Sequence, residues 1–358
     1  MVSKSNILSL LILFQAFCLL SQDIAPDTEI KIEIEKLIRF DSDISFKKTP
    51  GFMVSIIDHP NTYFIPFGYK QKKTKDIISE HDIFELGSVT KVFTAALFYK
   101  WIDAKLITGQ EKVNSFLEER NQNPRLDHLT IHDLLHHYSG FSKWPSFFGK
   151  KEKDIQSPYS YYQKADLLKY YQDFIPDSVQ IFQYSHTNYA LLEIIAEKIS
   201  GLPFNDVMQN QIFEPVGMEN TFIDFPETEK LSPGYDRSGK ATQSWRFASF
   251  KGSEALKSTA ADLVKFIQEF HFKNDKNVSR LPGFNTHLQI DRGWHLVDMG
   301  DFDIYTHTGK TSGHNVFVAF IKETKTAVII LANSSIGTED LGFQILRMIN
   351  HNWKRIKV

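Results

Sequence analysis

Ser88 and Lys91 stand three residues apart in Gly87-Ser88-Val89-Thr90-Lys91, where an apolar helical pattern begins. On a helix that spacing places a hydroxyl and an amine on one face, one turn apart. A serine hydroxyl is a weak nucleophile until a base takes its proton, and an amine one turn away is positioned to do so. Burial among Val92, Phe93 and Ala95 would disfavour the charged form of Lys91 and leave a neutral amine for that task. The helix start adds a free backbone N–H and positive potential beside Ser88, where an oxyanion would form. The spacing alone is common, expected roughly once or twice by chance, and Ser88 also reads as an ordinary N-cap. A second pair, Ser45 and Lys48, runs into Thr49-Pro50-Gly51, which cannot continue a helix.

Two other segments carry polar groups in suggestive places. Tyr184-Ser185-His186 stands just ahead of an apolar helix, and Tyr305-Thr306-His307-Thr308-Gly309-Lys310-Thr311-Ser312-Gly313 follows a strand pattern with glycine at two points of close backbone approach. Competing chemistries are weaker. His132-Asp133-x-x-His136 imitates a helical zinc signature, but a third ligand is missing and Asp is a short base, so these residues read as structural and no metal site is expected. Gly309-Lys310-Thr311 imitates the end of a phosphate-binding loop, yet Ile304 stands where the first glycine must be. The chain has no Gly-x-Ser-x-Gly elbow. His186 taken alone is more often a hydrogen-bonded structural histidine. Tyr138, Trp144, Phe147 and Phe148 are candidates for a cleft wall, with packing the commoner role for any one of them.

The elements that must position these groups follow from hydrophobic period. Ile30 to Ile38 reads as an amphipathic helix; Phe52 to Asp58 and Thr62 to Gly68 read as strands joined at His59-Pro60-Asn61. A long helix is expected from Ser88 to Ile107, and another from Ala190 to Ile199 ended by Gly201. Between residues 109 and 230 the pattern is mainly helical. Strand signals return at Gly293 to Val297, Ile304 to His307, Val316 to Ile321 and Thr326 to Ala332, and a helix from Leu341 to Trp353 follows. Strands at both ends with helices between them predict an α/β fold of the α+β type: one sheet built from both termini, flanked by helices. The expected division is an α/β part over 22–108 and 245–358 and a helical part over 109–244.

The chain has 358 residues, 41 Lys+Arg against 43 Asp+Glu, and 42% hydrophobic residues, which excludes disorder and coiled coils and gives no basic footprint for nucleic acid. Ile7 to Leu20, after Lys4, is too short to span a bilayer, which takes about 20 residues, but suits a signal peptide over 1–21. Cys18 is the only cysteine, so a mature chain from Gln22 has neither disulfide nor thiolate nucleophile. Phe17 fits poorly with lipid attachment at Cys18. The expectation is an exported protein, periplasmic or secreted, without a stable membrane span.

Taken together and in order, these segments resemble the penicillin-recognising serine hydrolases, in the branch of class C β-lactamases, D-alanyl-D-alanine carboxypeptidases and related esterases. Leu129 to Gly140, Ile212 to Met218 and Ser258 to Leu263 resemble further landmarks of the family, so the likeness covers nearly the whole mature chain. It implies a β-lactamase/transpeptidase-like fold, acyl transfer through Ser88 with Lys91 and Tyr184 sharing the proton, and no cofactor. Whether Tyr184 would act as a phenolate or as a neutral relay stays open. The amides of Ser88 and Lys310 would form the oxyanion hole, and His307, Thr308, Gly309 and His186 would line the substrate groove. Two positions depart from the pattern: His186 stands where Asn is usual, and His307 where β-lactamases have Lys. A histidine of ordinary pKa is mostly neutral at pH 7 and attracts a substrate carboxylate less. That favours a neutral ester or peptide over efficient β-lactam hydrolysis. A non-hydrolytic penicillin binder or cell-wall peptide sensor is the alternative.

Overall fold

The computed structural model describes residues 26–42, 44–146, 148, 157, 159–177, 181–223, 231–273 and 289–351. The expected signal segment, Phe147 and Trp353 lie outside them. The chain divides into two compact units, Met1–Asp43 and Ile44–Val358. The first holds helix α1 (Pro26–Phe40), longer than the predicted 30–38, with Asp27 and Glu29 in its first turn and Arg39 in its last, as the helix dipole favours.

In the second unit, β1 (Gly51–Asp58) and β2 (Asn61–Gly68) form the predicted hairpin. β3 (Ile83–Glu85) leads through a 3-10 turn (Gly87–Val89) into α2 (Thr90–Asp103). The long helix expected to reach Ile107 stops early because Lys105 adopts φ +59 and the Leu106 N–H donates back to Trp101 O at 2.9 Å. Then come α3 (Ile131–Leu135), α4 (Lys164–Asp173), α5 (His186–Ser200) and α6 (Phe204–Met208). α7 (Lys251–Glu254) precedes β4 (Lys257–Thr259) and α8 (Ala260–Ile267). β5 (Gln289–Asp291), β6 (Trp294–Asp298), β7 (Asp303–Lys310), β8 (Asn315–Ile321) and β9 (Thr326–Ala332) follow, then α9 (Glu339–Ile349).

The main sheet is antiparallel in the order β2-β1-β9-β8-β7-β6-β5, so strands from both ends of the chain meet where β1 pairs β9. The sequence predicts a sheet built from both termini and six of these strands; the short edge strand β5 is an addition. Its central strands β8 and β9 are buried at every position, which is why they read as continuous apolar runs rather than alternating ones. Phe317 faces Phe343 of α9, while Phe320 on the opposite face meets Trp294 and His271. Among the described residues no helix is long and apolar enough to cross a membrane.

Candidate active site

Ser88 meets Glu254 because of the register of a two-stranded ribbon. β3 pairs β4 antiparallel with Phe84 opposite Ser258 and Glu85 opposite Lys257. The pairing continues as the Leu86 N–H donates to Leu256 O at 2.8 Å. Counting on, Ser88 falls opposite Glu254, and the Ser88 hydroxyl donates to Glu254 Oε1 at 2.5 Å. Thr90 and Thr94 clasp the two sides: the Leu256 N–H donates to Thr90 Oγ1 at 3.0 Å, and Thr94 Oγ1 donates to Gly252 O at 2.6 Å.

Lys91, 1% exposed, lies under Ser88. Its amine donates to Glu254 Oε1 at 2.8 Å, to Ser253 O at 3.0 Å and to Ser88 Oγ at 3.3 Å. His186 Nδ1 is 2.5 Å from the same Glu254 oxygen and 3.0 Å from Lys91 Nζ. Burial alone would raise the Glu254 pKa, but the charge of Lys91 and then His186 outweigh it and hold the carboxyl at about 2. Burial, then Lys91, push His186 down to about 4, so at pH 7 it is a neutral ring donating to a carboxylate. Trp144 stacks on that ring at 3.8 Å and 3°.

The structure brings Ser88, Lys91 and His186 together around a carboxylate that the sequence reading did not single out. The signal it offered was slight: a lone acid between Gly252-Ser253 and Ala255-Leu256, in a segment with no motif. Tyr184 is beside the site in an unexpected pose. Lys91 Nζ lies 5.2 Å from the centre of its ring, and no hydrogen bond joins its hydroxyl to Ser88 or Lys91 among the described residues. Glu254, Ser253 and Ser88 take the three amine N–H groups of Lys91. Tyr184 is instead packed between His137 at 4.5 Å, from the Leu129 to Gly140 segment, and His295 at 5.8 Å, neither of them expected at the site.

On β7, His307 is buried with Gly309 on one side while Thr308 and Lys310 are exposed on the other, as strand alternation requires. Burial, then His295 and Lys91, hold His307 well below 6.5, and its Nδ1–H donates to Thr308 O at 2.8 Å. Gly309 is required by proximity: a Cβ there would lie 1.9 Å from Leu86 O, in the turn that carries Ser88. Gly87, at φ +51, would place a Cβ 2.7 Å from the Lys310 nitrogen, so the Ser88 turn and the end of β7 are in contact.

The imitation zinc signature is a helix cap. Thr130 and Asp133 form a reciprocal capping box, and the Asp133 carboxylate accepts from the Thr130 N–H at 2.9 Å. His136 Nδ1 donates to His132 O at 2.8 Å and its Nε2 contacts the Tyr99 hydroxyl at 3.1 Å.

The described family model for β-lactamase matches residues 40–350. The chain belongs to the β-lactamase family. As a hydrolase of that family it is 25% identical to a β-lactamase of Providencia stuartii, over 80% of this chain and 83% of the other. It is 26% identical to penicillin-binding protein 4* of Bacillus subtilis, over 77% of this chain and 66% of that one. A β-lactamase/D-alanine carboxypeptidase structure from Pseudomonas syringae superposes with a TM-score of 0.74 at 18% identity, covering 92% of this chain and 99% of the other. The superposition fits the fold and the sheet described above.

Proposed function

We propose that the protein is a serine hydrolase that works through an acyl-enzyme on Ser88 and acts on a neutral ester or a peptide in preference to a β-lactam. The observation that carries this reading is the Ser88 hydroxyl in the turn that leads into α2, 3.3 Å from a buried Lys91 amine and against the end of β7. Lys91 is the partner in proton transfer. Tyr184 lies with its ring centre 5.2 Å from that amine. The amides of Ser88 and Lys310 serve as oxyanion donors, each worth about 3 kcal/mol of transition-state stabilisation.

The substrate preference follows from charge. His307 stands where a β-lactamase has lysine, and burial keeps it neutral at pH 7, so that position offers a substrate carboxylate no fixed cation. Export is proposed on the apolar segment before Gln22, and N-terminal sequencing of the mature chain tests it. The activity test is a kinetic panel of a p-nitrophenyl ester, a D-alanyl-D-alanine peptide and nitrocefin, run on the wild type and Ser88→Ala. We expect turnover of the ester or peptide to exceed that of nitrocefin and to vanish in Ser88→Ala. Ester turnover that survives Ser88→Ala would sink the proposal. A stable adduct on Ser88 with no turnover of any substrate would leave the binder in its place.

A further inference from the structure

Resting on that reading, we infer that Glu254 is a catalytic residue: its carboxylate takes the Ser88 proton as the acyl bond forms, while Lys91 supplies the proton to the leaving group. Three observations carry it. Glu254 Oε1 accepts from the Ser88 hydroxyl at 2.5 Å, whereas the Lys91 amine, 3.3 Å away, donates to that hydroxyl. The same oxygen lies 2.8 Å from Lys91 Nζ, so a proton received from Ser88 has a direct route onward. His186 also donates to that oxygen and is stacked under Trp144, which fixes the carboxylate without competing for the proton. A purely structural counter-ion for Lys91 would have no need to sit on the nucleophile.

The proton count closes. Ser88 Oγ bonds to the acyl carbon and its proton passes to Glu254 Oε1. The tetrahedral adduct then expels the leaving group, which takes a proton from the Lys91 ammonium. A carboxylic acid and an amine remain 2.8 Å apart, and one proton shift restores the ion pair. In the second half, water adds to the acyl carbon and gives its proton to Glu254. Lys91 returns a proton to Ser88 Oγ as that bond breaks, and the same shift restores the pair. The net change is an acyl compound plus water giving an acid and the protonated leaving group.

The titratable groups facing Glu254 are Lys91 from α2, His186 from α5, His307 from β7 and Tyr159. His186 and His307 are neutral above pH 6. A base already ionised across that range predicts a level profile. The test is the rate at which a fluorophosphonate labels Ser88 between pH 6 and 9.5, in wild type and in Glu254→Gln, with mass spectrometry locating the adduct. We expect a level profile in wild type. In Glu254→Gln we expect labelling slowed at least 100-fold at pH 7 and rising with pH, as a base that is not already ionised must then take the Ser88 proton. A wild-type rate that climbs about tenfold per pH unit would overturn the assignment. So would a Gln variant that labels at the wild-type rate, or one that is slower with an unchanged profile. Should Glu254→Gln not fold, Glu254→Asp replaces it: withdrawing the carboxylate by one methylene should slow labelling tenfold or more with the profile still level, and an unchanged rate overturns the assignment. Absence of any Ser88 adduct in wild type would instead defeat the serine-hydrolase reading itself.

Discussion

At the scale of single residues the site is a buried ion pair with a nucleophile attached. The side chains of Lys91 and Glu254 are 1% and 2% exposed, so each depends on the other for charge balance. Removing one member of such a pair leaves the other as an unpaired buried charge, which costs about 3–5 kcal/mol, whereas replacing both with neutral groups of similar size is often harmless. Lys91→Met should therefore lower stability by about that amount, and Lys91→Met/Glu254→Gln should recover most of it. Denaturant unfolding of the two single variants and the double variant measures the coupling. Additive losses would mean that the two groups do not form an ion pair in the folded chain. Neither single effect was foreseeable from the Ser88-x-x-Lys91 spacing, which pointed to a lysine made neutral by apolar neighbours.

Elements decide which of these residues meet. Ser88 and Lys91 were legible in the sequence because they sit within one helical turn, where spacing is geometry. Glu254 lies 166 positions from Ser88, and only the β3–β4 register makes them opposite. A three-residue ribbon has too little period to be read from sequence. The sheet was legible for the converse reason: β1, β8 and β9 are long apolar runs bounded by turn residues. α2 ends before the expected Ile107 because Lys105 takes up a left-handed conformation that composition gives no reason to expect. Phe250 does the same at φ +64 just before α7, held by its packing on Trp144, Phe148 and Tyr159, and that turn aims Glu254 at the site. Where β7 touches the Ser88 turn the fit leaves no room. Gly309→Ala must push β7 away from Leu86, at a cost of about 1–3 kcal/mol by the usual scale of overpacking. Because the Lys310 amide moves with β7, ester turnover should fall by more than the stability loss explains, at least tenfold under conditions where the variant is fully folded. Wild-type turnover in a folded Gly309→Ala chain would show that this strand edge plays no part in positioning the oxyanion donors.

Across the whole molecule, the buried titratable groups set how the fold responds to acid. Burial holds His136, His186 and His295 at about 4, and His137, His271 and His307 well below 6.5. Each refuses a proton that the unfolded chain accepts once the pH drops below about 6.5, so each withdraws stability from there downward. Glu193 acts in the opposite sense. Burial raises it to about 7, so between pH 7 and 4.5 the native chain carries one proton that the unfolded chain lacks. Burial also lowers His132 and raises Asp291, so seven histidines stand against two carboxylates; the unfolded state has the larger proton uptake, and every net proton changes stability by about 1.4 kcal/mol per pH unit. Glu85 and Glu254, both held at about 2, add to the loss only below pH 4.5. Chemical denaturation should therefore show stability falling steeply from pH 6.5 to 4.5, before the carboxylates contribute. A curve that stays level to pH 5 and then drops would mean that these histidines are not kept neutral by the fold. The same slope bears on activity: below pH 6 the loss of turnover should follow the loss of folded protein, because the carboxylate beside Ser88 keeps its charge to far lower pH than the fold survives.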